Sequence, residues 1–154
     1  MERMFESSKA FNQPIEKWDV SNVTDMNNMF FASTFNQPIE KWNVSNVIRM
    51  DNMFAYTKAF NQPIDKWDVS NVKNMQNIFM GSERFNQPLD NWDVSNVASS
   101  AYTAEGVRHP PWDYAKSTEL YIMRNMFKDA KSWKQTIPDE WKKKWGSVPC
   151  CTFQ

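Results

Sequence analysis

A chain of 154 residues is long enough to form one domain with a substantial buried core. Its 18 basic and 18 acidic residues cancel, so overall charge does not indicate nucleic acid or anionic lipid as a partner. No apolar run approaches the roughly 18 residues that a membrane-spanning helix needs, and the adjacent Cys150 and Cys151 cannot cross-link distant parts of the chain, which excludes a disulfide framework.

The first 97 residues are dominated by a 13-residue motif that occurs four times. It begins at Phe11 as FNQPIEKWDVSNV and returns with few substitutions at Phe35, Phe60 and Phe85. The intervals between these starts are 24, 25 and 25 residues. A period of this length is typical of repeat proteins in which each unit buries its apolar face against its neighbours.

Two segments with different periodicity follow one another within each unit. Ile15, Trp18 and Val20 have spacings that suit a short strand after the extended segment at Pro14. Residues 23–30 then place apolar side chains at helical spacing, after polar residues that are common at helix N-caps. Each unit therefore predicts a strand, a tight turn, a short helix and an extended return.

Stacked units of this kind predict an α/β repeat solenoid that resembles leucine-rich repeats. Short parallel strands would form one face, short helices the other, and an irregular cap would close the C-terminal end. Equivalent side chains would then stack in aromatic ladders, one of tryptophans and one of phenylalanines. The members are Trp18, Trp42, Trp67 and Trp92, and Phe11, Phe35, Phe60 and Phe85.

The remaining sequence divides into two further regions. Residues 1–97 hold the four repeats, 98–119 form an insertion loop, and 120–154 hold a degenerate fifth repeat with a C-terminal cap and tail. The fifth repeat is identified by the segment LYIMRNMFKDAKSW at 120–133, which aligns with 23–35 when one gap is allowed. Terminal repeats are commonly atypical because they cover the open end of the stack.

The repeated string MF…AFNQPIEKWDVSNVTDMNNMF resembles the 25-residue leucine-rich-like repeat of BspA-type bacterial surface proteins and mycoplasma surface lipoproteins. The resemblance is close over residues 4–97 and partial over 120–137. It implies an α/β solenoid with a role in adhesion or protein–protein contact. The sequence shows no apolar signal segment, no lipoprotein cysteine near its start and no wall-sorting motif. A cytoplasmic or virion location is therefore expected, with the cell surface as the alternative.

The predicted outer strand face carries polar columns that include Lys17, Asp19 and Ser21 with their repeats. They favour a solvated face over a calcium site, because the carboxylates are not spaced to converge on one ion. Peptide binding at this face stays open. The recurring amides that begin with Asn12 and Gln13 are expected to bond to backbone groups in turns.

The insertion holds the only histidine, His109, within VRHPPWDY. His109, Trp112 and Tyr114 are candidate partner-binding residues, because aromatic side chains on a proline-stiffened loop suit a contact hot spot. The same loop would equally serve to seal the interrupted stack. No zinc, redox or triad constellation accompanies His109, so no catalytic residue, metal or cofactor is predicted.

The C-terminal CCTFQ fits a C-a-a-X prenylation signal at Cys151, with Cys150 as a neighbouring acylation candidate. Lys142, Lys143 and Lys144 form a short basic patch upstream. A tail with free thiols is the alternative to this lipid anchor.

These features favour a non-catalytic protein–protein interaction or structural repeat protein, a component of a larger homo- or hetero-assembly, with a protein partner and no nucleic acid. Adhesion of the BspA type is the alternative. An enzyme that uses residues 98–154 is a distant third, since Glu105, His109 and Asp113 have no recognisable catalytic spacing.

Overall fold

The computed structural model describes residues 1–97, 126–135, 138, 139 and 141. We define coil 1 as residues 11–34, coil 2 as 35–59, coil 3 as 60–84 and coil 4 as the described part from 85 to 97. The coils stack on one another around a continuous apolar interior. Residues 1–10 pack before coil 1, and 126–135 pack after coils 3 and 4.

The prediction of an α/β fold is wrong. Within the described ranges the backbone follows turns and extended segments, and no helix or strand has both of its ends there. Among the described residues, helical backbone occurs only at Met126, Asp139 and Trp141. Isolated parallel bridges, from Asp25 to Arg49 and from Arg49 to Asn74, take the place of the predicted sheet.

The predicted helix at 23–30 does not form because alternate backbone N–H groups donate to the next coil. The N–H groups of Met26, Asn28 and Phe30 donate to carbonyl oxygens of coil 2 at 2.9, 3.0 and 3.0 Å. The N–H of Met29 between them donates within the coil, to the Met26 carbonyl at 3.1 Å. An α-helix needs each N–H for a carbonyl four residues earlier, so these two patterns exclude one another.

Two left-handed residues in each of coils 1, 2 and 3 make this arrangement possible. In coil 1 they are Asn28 and Ala32, each with φ of 53°. The pairs in the next two coils are Asn52 with Tyr56 and Asn77 with Gly81. A residue with positive φ interrupts a right-handed helix, and asparagine and glycine tolerate that conformation best.

Residues 15–20, predicted as a strand, are joined to the next coil by a side-chain hydrogen bond. In a sheet, backbone N–H groups would make such bonds. The indole Nε1 of Trp42 donates to the Ile15 carbonyl at 3.1 Å, and Trp67 repeats this bond to Ile39 at 3.1 Å. Trp92 repeats it to coil 3 at 2.9 Å. The tryptophan column therefore supplies both core volume and inter-coil hydrogen bonds.

The aromatic columns form the centre of the core. The phenylalanine ladder predicted from the motif is confirmed, with ring centroids of Phe35 and Phe60 6.5 Å apart. The predicted tryptophan ladder is confirmed for Trp42 and Trp67, whose rings stack at 6.5 Å. Trp18 lies in the first coil, where it is 40% exposed and packs against the ring of Phe5 at 5.8 Å.

The described residues after the insertion continue the phenylalanine ladder and a second phenylalanine column, in which Phe54 stacks on Phe79 at 5.8 Å. Phe127 stacks on Phe79 at 5.6 Å, and Trp133 stacks on Phe85 at 5.7 Å. Trp141 donates its Nε1–H to a coil 4 carbonyl at 3.0 Å. The insertion at 98–119 lies outside the described residues, so the proposed division of the chain there stays a prediction.

Candidate interaction surface

The predicted partner-binding and lipidation residues lie outside the described part of the chain. They are His109, Trp112, Tyr114, Cys150 and Cys151. Their roles therefore stay predictions, and a candidate site has to be built from the coils themselves.

The asparagine and glutamine rows have a structural role, as expected from the sequence. The Oδ1 atom of Asn12 accepts the backbone N–H of Asn36 at 2.8 Å, and Asn36 accepts that of Asn61 at 2.9 Å. The Nε2 of Gln62 donates to the Asn36 carbonyl at 3.0 Å. Because these amides bond to the backbone of neighbouring coils, ligand contact is not needed to explain their repetition.

The aspartates of the repeated motif also form hydrogen bonds within their own coils. The Asp19 carboxylate accepts the backbone N–H of Ser21 at 3.0 Å and its hydroxyl at 2.6 Å, and these bonds lower the pKa of Asp19. In coil 2 the same turn is made by Asn43 and Ser45. Among the described residues no three His, Cys, Asp or Glu side chains come together as a set that would hold a metal ion.

A groove of about 480 Å³ crosses the first three coils, at the asparagine of the repeated VSNV and the residue that directly follows this motif. Each coil contributes two side chains, one asparagine and the residue two positions later. The lining residues are Asn22, Thr24, Asn46, Ile48, Asn71 and Lys73. The groove therefore runs across the coils, along the direction in which they stack.

One wall of the groove is a row of asparagines that also join the coils. The Nδ2 of Asn46 donates to the Ser21 carbonyl at 2.8 Å, and the Nδ2 of Asn71 donates to the Ser45 carbonyl at 2.8 Å. Each of these amides is held at one N–H by the preceding coil. The row is thus fixed in orientation by the stacking itself.

The other wall consists of Thr24, Ile48 and Lys73, one from each coil. The Ile48 N–H donates to the Thr24 carbonyl at 2.8 Å, and the Lys73 N–H donates to the Ile48 carbonyl at 2.8 Å. These bonds hold the three backbones side by side at the parallel bridges. Ile48 is 40% exposed, which few large apolar residues are in the described part of the chain.

The charge beside this wall is largely balanced. Arg49 lies between two carboxylates, at 3.1 Å from Asp51 and 3.4 Å from Asp25. Its hydrogen bond to Asp51 and the attraction of both carboxylates raise the pKa of the guanidinium. Lys73 is then the charged residue that lines the groove itself.

The three wall residues were missed by the sequence analysis, although a signal for them exists. When the repeats are aligned, Asn22, Asn46 and Asn71 are identical, whereas the position two residues later is occupied by threonine, isoleucine and lysine. Constant residues interleaved with variable ones indicate a scaffold that presents different side chains. That comparison identifies the constant and the variable row, whereas only the stacking shows that they line one groove.

Comparison with family models matches residues 1–113 to the family described as Mycoplasma protein of unknown function, DUF285. The search of curated proteins and the search of solved structures found no match. In the described part of the chain, no helix has the length and apolar character needed to cross a membrane.

Proposed function

The chain belongs to the family described as Mycoplasma protein of unknown function, DUF285, and from this premise we propose that it is a non-catalytic interaction protein, a component of a larger assembly. The stacked coils form the scaffold. The groove lined by Asn22, Thr24, Asn46, Ile48, Asn71 and Lys73 forms the contact surface for a protein partner.

The observation that carries this proposal is that constant and variable residues of the repeat have different roles. The constant tryptophans, asparagines and glutamines are used in stacking, through bonds such as that of Trp67 to Ile39 and that of Asn61 to Asn36. The groove residues Ile48 and Lys73 vary between coils and lie at the surface. A repeat scaffold discriminates between partners through such variable surface positions.

The test is photo-crosslinking with the intact chain. Ile48 is replaced by a photoreactive amino acid, and the matched control carries it at Lys66, which is exposed and outside the groove lining. In lysate of the source organism we expect a discrete adduct from position 48 and not from position 66. Identical adducts at both positions, or none at either, would contradict the proposed contact surface.

Adhesion of the BspA type is the second candidate, and the repeated FNQPIEKWDVSNV string supports it. In that case the same groove would hold an extracellular protein. We expect the labelled chain to bind intact host cells or extracellular matrix, and a charge placed at Ile48 to reduce this binding. Binding that is unchanged in the Ile48→Glu variant would contradict adhesion through the groove.

A further inference from the structure

We propose that the groove takes an extended peptide segment of the partner that carries a carboxylate side chain close to an apolar one. This inference rests on the proposed interaction function and names the chemistry of its ligand. It depends on three features of the groove: the free amide groups, the length of the groove and its charge.

The asparagine row offers groups that match a peptide backbone. Asn46 and Asn71 each use one N–H to bond to the preceding coil. Among the described residues, the second N–H and the Oδ1 of each take no further partner. A primary amide with a free donor and a free acceptor complements the N–H and C=O of an extended peptide.

The length of the groove corresponds to a few residues of such a peptide. Backbones joined by parallel bridges lie about 4.8 Å apart, so two steps from coil 1 to coil 3 cover about 10 Å. An extended peptide advances about 3.3 Å per residue, which places about three residues in the groove. The volume of about 480 Å³ is in keeping with a segment of that size.

The wall formed by Thr24, Ile48 and Lys73 determines which side chains the bound segment should carry. Lys73 offers a cation to a carboxylate, and the exposed Ile48 one coil earlier offers apolar surface. Side chains on one face of an extended peptide alternate with a period of two residues, so the apolar and acidic residues would be two apart. The flexible stem of lysine covers the difference between this spacing and the coil step.

Other ligand classes fit the lining less well. A nucleic acid would need several cations to neutralise its phosphates, and Lys73 is the one cation among the six lining residues. Those residues also include no aromatic ring on which a base would stack. An acidic peptide uses the asparagine amides, the apolar side chain of Ile48 and the cation of Lys73.

The test uses the intact ¹⁵N-labelled chain and three synthetic pentapeptides, acetyl-Thr-Val-Thr-Asp-Thr-amide and its Asp-to-Asn and Asp-to-Lys versions. We expect the acidic peptide to shift the side-chain amide resonances of Asn46 and Asn71 more strongly than the other two. Lys73→Glu should weaken acidic-peptide binding by about fivefold, the upper range for an exposed ion pair. The control Lys66→Glu makes the same charge change outside the lining and should change affinity less than twofold.

Each result decides between the two proposals. Equal shifts with all three peptides, or an equal loss in Lys73→Glu and Lys66→Glu, would overturn the acidic-peptide assignment. If position 48 still captures a partner specifically, the interaction function survives that failure. If it captures none, the function fails as well.

Discussion

The left-handed position occupied by Gly81 provides a sharp test of the coil geometry. Gly81 has φ of 66°, and a Cβ added there would meet the Tyr56 ring, with Cδ1 at 2.5 Å and Cε1 at 2.8 Å. Tyr56 itself packs edge-on against Phe31, with ring centroids 5.7 Å apart. The substitution Gly81→Ala therefore strains the backbone and displaces a side chain of the neighbouring coil.

The expected cost of Gly81→Ala follows from three contributions. A left-handed alanine costs about 1–2 kcal/mol, and the reduced entropy of the unfolded chain offsets about 0.4–1 kcal/mol of this. Displacing the exposed Tyr56 ring loses its contact with Phe31, which is worth about 0.5–1.5 kcal/mol. We therefore expect Gly81→Ala to lower the free energy of unfolding by about 2 kcal/mol.

The assay is urea unfolding followed by tryptophan fluorescence in a double-mutant cycle. With Tyr56→Ala in the background, the steric contribution is absent and Gly81→Ala should cost about 0.5–1 kcal/mol. The same cost in both backgrounds would refute the assigned contact with Tyr56. A neutral Gly81→Ala in the wild-type background would refute the left-handed geometry as well.

Ala32 supplies an internal control for the backbone contribution. It occupies the equivalent place in coil 1 with φ of 53°, so alanine is already present there in the strained conformation. Ala32→Gly should stabilise the chain or leave it unchanged within about 1 kcal/mol, because strain relief and unfolded-state entropy oppose each other. A clear loss of stability would contradict the assigned φ.

Two further predictions concern contacts between coils. Trp67→Phe removes buried ring volume and the indole bond to the preceding coil, so it should lower the free energy of unfolding in urea by about 2–3 kcal/mol. The control Trp18→Phe changes a side chain that is 40% exposed and should lower the same free energy by less than about 0.5 kcal/mol. Glu83 bridges Lys58 at 3.0 Å and Lys131 at 3.5 Å, and the bond to Lys58 followed by the attraction of both lysines lowers the pKa of Glu83. The stability difference between wild type and Glu83→Gln should therefore be present above the ordinary carboxyl pKa of 4.5 and vanish as the pH falls through the lowered folded value. A difference that persists at low pH would show that the charge of Glu83 is not its cause.

The position of the groove was accessible from the sequence in part. Its constant wall, Asn46 and Asn71, stands in the repeated motif, and its variable wall appears when the repeats are compared. That the two rows line one groove depends on bonds between coils, such as that of Asn46 to the Ser21 carbonyl. A spacing of 25 residues cannot show that contact until the stacking is known.

The sequence by itself determined the repeat period and the side chains of the core. A period of 24 or 25 residues requires equivalent residues to stack, because each unit is too small to bury its apolar face alone. The phenylalanine ladder that begins at Phe11 follows from that period without further information. The backbone amides of Asn36 and Asn61 likewise find the side-chain partners that the repeated amides predicted.

The tertiary structure alone decided the conformation of the backbone. The spacing of apolar residues at 23–30 suits a helix, and the same spacing is satisfied by turns whose left-handed residues keep Met26 and Phe30 inside. Once the neighbouring coil offers carbonyl groups, alternate N–H groups bond across the stack and no longer follow the helical pattern. Periodicity indicates which side chains are buried, whereas the carbonyl partners of Met26, Asn28 and Phe30 lie on the next coil and are known only from the stacking.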